Sequence, residues 1–366
     1  MTTNPDQFQL IPPYCPNHKC QFHHGTTKRF YVKNGFTPTD KAPFLNQRYR
    51  CKECRVQFSA NTFNLDFRKK TPGQSEKILH YTMNGMSNNS VARYLKVSEG
   101  LVRDRLKIMA RHSLFFEKKY MPKNIEENVA YDGFETFTYS QFSPCYINTA
   151  VGSESHFIYH NTLSPLNRKG RMTEFQKIKN QELILKHGHY PRNSVYEESL
   201  YIIEELSKKT KEKTLYTDEH RAYLRAFKRL QKNLNFKHVT INSCERRNTS
   251  NPLFPINHLH SLYRHFLSSQ KRETISFKKH EGALLEKAQL VKIYRNYMSP
   301  KFVKKNKFDP NAHKWSPAMY LKITKKILNY EEVFGLRIIP SQVDLDQREK
   351  NFINRHYLFS RQLIVP

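Results

Sequence analysis

The sequence lacks long apolar runs. No stretch approaches the roughly eighteen consecutive apolar residues that a membrane-spanning helix needs. The opening MTTNPDQFQL also lacks the basic segment and following apolar stretch of a secretory signal. These absences predict a soluble, unexported, cytoplasmic protein with no membrane partner.

Acidic residues are scarce. The chain has 32 Asp and Glu against 62 Lys and Arg, which gives a formal net charge of +30 over 366 residues. This excess is larger than solubility requires, and it concentrates polyanions at the protein surface. The composition therefore favours nucleic acid as the partner.

Cysteine is also infrequent, and its spacing indicates metal rather than disulfides. Of six cysteines, four form two close pairs, Cys15 with Cys20 and Cys51 with Cys54. Four thiolates satisfy a tetrahedral structural Zn²⁺, and the two-residue spacing of the second pair is typical of a zinc knuckle. His18 is a competing ligand for Cys20, and His23 and His24 lie nearby.

The stretch QRYRCKECRVQF around the second cysteine pair reads as strand, knuckle and strand. This pattern favours a zinc ribbon over a finger that contains a helix. Arg48 and Arg50 alternate with Tyr49 in the first of these strands. We expect the two arginines to contact DNA phosphates.

The next segment predicts a helix-turn-helix. A first helix should end near Asn84 and Gly85, since glycine accepts the left-handed cap conformation. Asn89 or Ser90 is expected to cap a second helix, and Ser98 a third. Short helix, tight turn and longer helix is the arrangement that enters the major groove. On the third helix the candidate DNA contacts are Ser98, Arg103, Arg105 and Lys107. The alternative is a plain helical hairpin with a solvated basic face.

Strand-like runs dominate from about residue 125, namely NVAYD, YINTAV, HFIYHNTL, KTLYT and KHVTI. Gly152 to Ser155 reads as a hairpin turn, and the Ser194 to Glu197 capping box predicts the start of a helix. The basic stretch between Arg168 and Arg192 is expected to be a DNA-contacting loop or helix. The order of elements predicts a mixed sheet flanked by helices.

Two carboxylates are predicted to follow buried strands. They stand out because acidic residues are scarce in this basic chain. Asp132 is expected to close NVAYD and Asp218 to close LYTD. If these strands are neighbours, both carboxylates reach one cation, and paired Mg²⁺ ions can hold the oxygens of a phosphoryl displacement. The alternative for Asp218 is that it caps the next helix.

These motifs together resemble bacterial DDE-type insertion-sequence transposases, closest to the insertion-sequence-one group and its relatives. The likeness is carried by CPNHKC, QRYRCKECRVQFS, SVARYLKVSEGLVRDRL, YDGFETF and LYTDEHRAY, and it spans about residues 14 to 300. It implies a multidomain α/β protein with a zinc ribbon (1–70), a helix-turn-helix domain (71–122), a ribonuclease-H-like catalytic domain (123–300) and a basic C-terminal extension (301–366).

The resemblance also implies an activity: metal-dependent nicking at transposon ends and joining of the freed 3′-OH to target DNA. Structural Zn²⁺ and catalytic Mg²⁺ or Mn²⁺ are the expected cofactors. Double-stranded DNA, as terminal inverted repeats and target, is the expected partner. Because two ends must be joined, we expect at least a homodimer on DNA, in the nucleoid of a bacterial cell.

The third catalytic position departs from the family pattern. Where that group carries a glutamate, this chain has Asn257, whose carbonyl oxygen can bind Mg²⁺ without contributing charge. Asn257 is the first choice for this position and Glu281 the second, with Glu135 and Glu245 as further substitutes. The same departure leaves a second hypothesis, a catalytically inactive DNA-binding regulator derived from a transposase.

Overall fold

The computed structural model describes residues 11–38, 45–271, 274–277 and 280–356. Among these residues, no helix is long and apolar enough to cross a membrane. The strands are β1 (Tyr31–Pro38), β2 (Leu45–Cys51), β3 (Gln57–Ser59), β4 (Val129–Phe137), β5 (Pro144–Gly152), β6 (Ile158–Pro165), β7 (Lys213–Thr217) and β8 (Phe236–Thr240). The helices are α1 (Ser75–Met83), α2 (Asn88–Leu95), α3 (Glu99–Tyr120), α4 (Glu174–His187), α5 (Ser194–Ser207), α6 (Arg221–Leu230), α7 (Phe254–Phe266), α8 (Glu281–Ile293), α9 (Pro317–Tyr320), α10 (Tyr330–Phe334) and α11 (Gln347–Asn354).

The N-terminal arm is a small antiparallel sheet in the order β1-β2-β3. As the sequence predicts, the knuckle that begins at Cys51 separates β2 from β3. Phe58 on β3 packs between Tyr49 and Phe63, with ring centroids 5.6 Å apart in each pair. A sheet this small buries little apolar surface, so it depends on this aromatic cluster and on the cysteine-rich end of the arm.

Helices α1 to α3 form the predicted trihelical unit. Gly85 follows α1 with φ of +83°, as the predicted cap requires. The cap of α2 is Ser87, whose Oγ accepts the N–H of Ser90 at 3.1 Å, so the prediction of Asn89 or Ser90 is wrong. Ser98 caps α3 as predicted and accepts the N–H of Leu101 at 3.2 Å.

The larger sheet has the order β6-β5-β4-β7-β8, in which β4, β5 and β6 are antiparallel and β4, β7 and β8 are parallel. The predicted mixed sheet flanked by helices is therefore confirmed. The NVAYD strand is longer than predicted and continues to Phe137. Asp132 consequently lies inside β4 and does not close it, because β4 keeps β5 as a partner along its whole length.

Helices cover both faces of this sheet. On one face, the Tyr131 hydroxyl lies 2.9 Å from Ser199 of α5, and its ring contacts Tyr223 of α6. On the other face, Phe134 packs against Tyr263 of α7 with ring centroids 5.4 Å apart. Alternation of side chains along β4 thus directs odd positions to α5 and α6 and Phe134 to α7.

The basic stretch between Arg168 and Arg192 forms α4, which has no buried residue. The α5 helix begins at Ser194 as predicted, but its N-cap is Asn193, and no side-chain capping bond is made there. The Ser194 hydroxyl instead donates to the carbonyl of Pro165 at 2.7 Å. The predicted capping box at Ser194 is therefore wrong, because this serine is held by the end of β6.

The C-terminal segment, residues 330–355, contacts the other parts of the chain. Helix α3 reaches it through His112, whose Nε2 lies 2.9 Å from the carbonyl of Val333. The N-terminal arm reaches it through the Tyr14 hydroxyl, which donates to the carbonyl of Arg337. The large sheet reaches it through the 2.6 Å ion pair of Arg348 with Glu198 on α5. These contacts fasten the arm and α3 to the region around the large sheet.

Candidate active site, cysteine centre and DNA-contact surface

Asp132 lies inside β4, and Asp218 directly follows β7, the neighbouring parallel strand. The pairing of β4 with β7 joins Val129 to Leu215 and Ala130 to Tyr216, and it ends there. Continuing the same register by two residues places Asp132 beside Asp218. Residues at one level of adjacent strands project from the same face, so this register would bring both carboxylates to one face where the strands separate.

The environment of Asp132 opposes its ionisation. Burial, and after it the negative charge of Asp218, raise the pKa of Asp132 to about 7, although the Gly133 N–H, Arg247 and the Tyr223 hydroxyl act to lower it. Gly133 donates its N–H to Asp132 at 2.7 Å. A second carboxylate beside a buried one is unfavourable unless a cation joins them. The pair therefore has the composition that a hard divalent cation prefers.

Helix α7 carries Asn257 along the face of the sheet that presents Asp132. His260 and Arg264 lie over Phe134, with His260 at a ring-centroid distance of 5.3 Å and the Arg264 guanidinium at 4.7 Å. Asn257 precedes His260 by three residues and shares its side of the helix. Asp132 precedes Phe134 by two residues on the same side of β4. Asn257 is therefore on the stripe of α7 that runs toward the level of the aspartates.

Two buried polar atoms on this stripe make no hydrogen bond to the described residues. Asn257 Nδ2 and His260 Nε2 have no hydrogen-bond partner among the described residues. Buried polar groups are nearly always satisfied, so such atoms call for a ligand or water. His260 is one of three histidines in this helical segment, with His258 and His265, and in a chain with 17 histidines the sequence favours packing or phosphate contacts over a place near the scissile phosphate.

Glu281, the second choice for the third catalytic position, lies at the start of a different helix, α8. It opens α8 and accepts a 2.9 Å hydrogen bond from the Tyr190 hydroxyl. It lines a cavity of about 600 Å³ together with residues of β6 such as His160 and Asn161. Because β6 is an edge strand and β5 separates it from β4, Glu281 lies away from the strands that carry or precede Asp132 and Asp218.

The four N-terminal cysteines form one cluster. Their sulfur atoms all lie within 4.8 Å of one another, with Cys15 Sγ 3.5 Å from Cys54 Sγ and Cys20 Sγ 3.8 Å from Cys51 Sγ. Tetrahedral zinc–sulfur bonds of about 2.3 Å separate thiolates by about 3.8 Å. The donor set therefore fits Zn²⁺, and it closes the site without a histidine.

The competing histidine ligands take no part in this cluster. His23 is buried, and its Nδ1 and Nε2 lie 2.9 Å from the Cys15 carbonyl and the Ser341 hydroxyl, respectively. His18 and His24 are exposed and lie outside the group of four sulfurs. The looser Cys15–Cys20 spacing is accommodated by a turn in which Cys20 donates its N–H to the Asn17 carbonyl at 3.0 Å.

The predicted DNA contacts of α3 divide into two groups. Arg103 is exposed and pairs with Glu99 at 3.2 Å, while Ser98 is exposed at the helix start. Arg105 is only 3% exposed, and its guanidinium binds Asp66 at 2.9 Å and the Thr71 carbonyl. Arg105 as a DNA contact is therefore a wrong prediction, because the side chain fastens α3 to the segment after the N-terminal arm.

Lys107 is half-buried, and its pKa is lowered by burial and by the nearby positive charges of Arg111 and Arg355. Lys107 is therefore less exposed than Arg103, the other basic candidate on the same helix. Arg48 and Arg50 are exposed on one side of β2, as the predicted phosphate contacts require. Two further exposed basic residues, Arg93 in the last turn of α2 and Lys96 at its C-cap, were missed from the sequence because they stand outside the third helix.

No protein-family model matches the chain, and no curated protein matches it. Among solved structures, it is similar to a chain of the simian T-cell lymphotropic virus intasome in complex with PP2A regulatory subunit B56 gamma, studied by cryo-electron microscopy. The sequence identity is 13% and the TM-score 0.23, over 64% of this chain and 73% of that chain. A TM-score this low does not establish a shared fold.

Proposed function

We propose that this protein is a DNA transposase, a polynucleotidyl transferase that nicks DNA at transposon ends and transfers the freed strand. The observation that carries the proposal is the pair formed by Asp132 and Asp218. Two observations support this pair: the register of β4 with β7, continued by two residues past Ala130 and Tyr216, would bring them to one level, and the charge of Asp218 raises the pKa of Asp132. The mixed sheet with helices on both faces is consistent with a ribonuclease-H-like catalytic domain.

In this proposal Asp132, Asp218 and the Asn257 carbonyl hold Mg²⁺ or Mn²⁺. When bound, two such ions stabilise the attacking and leaving oxygens of an in-line phosphoryl displacement. The chain's own groups orient these ligands: the Gly133 N–H fixes one Asp132 oxygen at 2.7 Å, and the His220 N–H fixes an Asp218 oxygen at 3.0 Å. Asn257 adds an oxygen without charge, which weakens metal affinity relative to a glutamate.

The N-terminal parts supply DNA recognition. A zinc ion held by the four cysteines would fix the arm that presents Arg48 and Arg50, and α3 with Ser98 and Arg103 would enter the major groove. Terminal inverted repeats and target DNA are the proposed partners, bound by at least a homodimer. The exposed Arg93 and Lys96 extend this basic surface.

A strand-cleavage assay with the full chain tests the proposal. The substrate is DNA from the regions flanking its gene, incubated with Mg²⁺ or Mn²⁺. Asp132→Asn and Asp218→Asn should each lower nicking at least a hundredfold and leave DNA affinity within threefold of the parent. Asp344→Asn removes an exposed carboxylate of the C-terminal segment and serves as the matched control.

Retained nicking in either active-site variant would refute the proposal. Asn257→Ala tests the third position, and Glu281→Gln should have no effect on cleavage. The second candidate function, an inactive DNA-binding regulator, is favoured by the Asn at position 257. It predicts end-specific DNA binding by the parent chain with no metal-dependent nicking under any of these conditions.

A further inference from the structure

Helix α4 has an apolar stripe that the rest of the described chain leaves uncovered. None of its residues is buried, and Phe175, Ile178 and Leu185 are 77%, 57% and 77% exposed. The helix is nonetheless well defined, since Thr173 and Gln176 form a capping box at its start and Gly188 follows its last residue. Helices of this length are marginal without tertiary packing. An exposed stripe of this kind marks an interaction surface.

The stripe has the spacing of a short coiled-coil seam. Positions 175, 178, 182 and 185 alternate by three and four residues, as a and d positions do. Phe175, Ile178 and Leu185 occupy three of the four positions, and Glu182 occupies the other. Glu182 is paired at 3.0 Å with Lys179 of the same helix, which borders the seam.

We propose that α4 pairs in antiparallel orientation with α4 of a second copy of this chain. In this arrangement Phe175 lies opposite the partner's Leu185, and Ile178 lies opposite the partner's Glu182. Each contact occurs twice, as two-fold symmetry requires. The surface goes beyond the proposed transposase function, since the pairing depends on α4 alone.

Charge selects the partner and the orientation. A parallel pair would place the two Glu182 carboxylates opposite each other at one a position, which is repulsive. The antiparallel pair separates them and brings each Glu182 beside the partner's Lys179 as well as its own. The whole helix carries three lysines and two glutamates, and Lys177 and Lys179 are already paired with Glu174 and Glu182. A phosphate backbone is therefore a poorer fit than a second copy.

The contact is small. A 14-residue helix is about 21 Å long, so one helix pair buries less than the roughly 1,000 Å² of a lasting interface. The pairing should therefore be weak and concentration-dependent for the free protein, and it should gain strength when DNA holds two chains together.

Sedimentation velocity of the full chain over a concentration series tests this pairing. Leu185→Glu should weaken dimerisation at least tenfold, because it places a carboxylate opposite the partner's Phe175. Glu182→Leu should strengthen it at least threefold, because it completes the apolar seam. Lys177→Glu changes an exposed residue outside the stripe and is the matched control. Far-UV circular dichroism checks that each variant remains folded.

Cross-linking tests the orientation. In a Cys244→Ser background, chains with Ile178→Cys and chains with Glu182→Cys are mixed and treated with a short thiol cross-linker. The mixture should yield cross-linked dimers several times faster than Lys177→Cys alone. Equal rates, or sedimentation that neither stripe variant changes, would overturn the proposal. Loss of DNA affinity in Leu185→Glu without a change in self-association would assign the stripe to DNA and would also overturn it.

Discussion

Two arginines two residues apart on α3 should respond in opposite ways to the same substitution. Arg105 is buried and bonded to Asp66, which is itself 8% exposed, whereas the Arg103 side chain is 59% exposed. Removing one partner of a buried ion pair costs about 3–5 kcal/mol, because the other charge is left without compensation. Exposed pairs such as Arg103 with Glu99 contribute less than about 1 kcal/mol.

We therefore expect Arg105→Met to lower the free energy of unfolding by about 3 kcal/mol, near the lower end of that range. Asp66 retains two donors, the Gly73 N–H at 2.7 Å and the Ser75 hydroxyl at 3.2 Å, which limits the loss. Arg103→Met should change stability by less than about 0.5 kcal/mol. Urea unfolding followed by circular dichroism measures both values.

DNA binding should show the opposite pattern: it should depend on Arg103 and not on Arg105. Arg103→Met should reduce affinity for end DNA and, if the side chain contacts a phosphate, flatten the salt dependence by about one unit of slope. Under conditions in which the Arg105→Met variant remains folded, this substitution should leave the salt dependence of DNA binding unchanged. Equal stability of the two variants, or a salt slope that changes only in Arg105→Met, would refute the assignment of Arg105 to the core.

Three further predictions follow from the same structure. Cys51→Ser should lower bound zinc well below one ion per chain and weaken end-specific DNA binding, as measured by metal analysis and gel shift; full zinc content would remove Cys51 from the ligand set. Burial lowers the pKa of His112 to about 4, so its neutral form stabilises the fold above pH 6.5, and about 3 kcal/mol is lost as pH falls toward 4. His112→Gln should flatten this acid dependence of urea unfolding, and an unchanged pH profile would contradict it. Gly133→Ala should destabilise the protein by about 1–3 kcal/mol, because the added Cβ would lie 2.8 Å from Tyr146 and 3.1 Å from the Tyr223 hydroxyl; an unaltered urea midpoint would contradict this.

Local patterns in the sequence were enough to predict several structural features. The cysteine spacing identified the four clustered thiols, since ligand spacing is a property of short segments. The Ser98 cap and the glycine after α1 were readable because capping depends on a few adjacent residues. The mixed sheet followed from the order of strand-like and helical segments.

Other predictions failed where a distant contact decided the outcome. Arg105 lies three residues after Val102 and four before Met109, so the helical period already places it on the buried face of α3, but only the tertiary structure supplies Asp66 as the partner of its charge. Ser194 belongs to a capping pattern, yet the end of β6 takes its hydroxyl. Asp132 was expected at a strand end, but pairing with β5 extends β4 past it.

The sequence by itself determined which residue types could serve: four thiols at ligand spacing, two aspartates that each follow a short strand-like run, and an excess of basic charge. Only the tertiary structure decided which of them meet. The pairing of β4 with β7 places Asp132 and Asp218 on neighbouring segments, α7 packs on the face of β4 that carries Phe134, and Glu281 accepts a hydrogen bond from Tyr190. Register and helix packing depend on contacts between residues far apart in the chain, which no local pattern records.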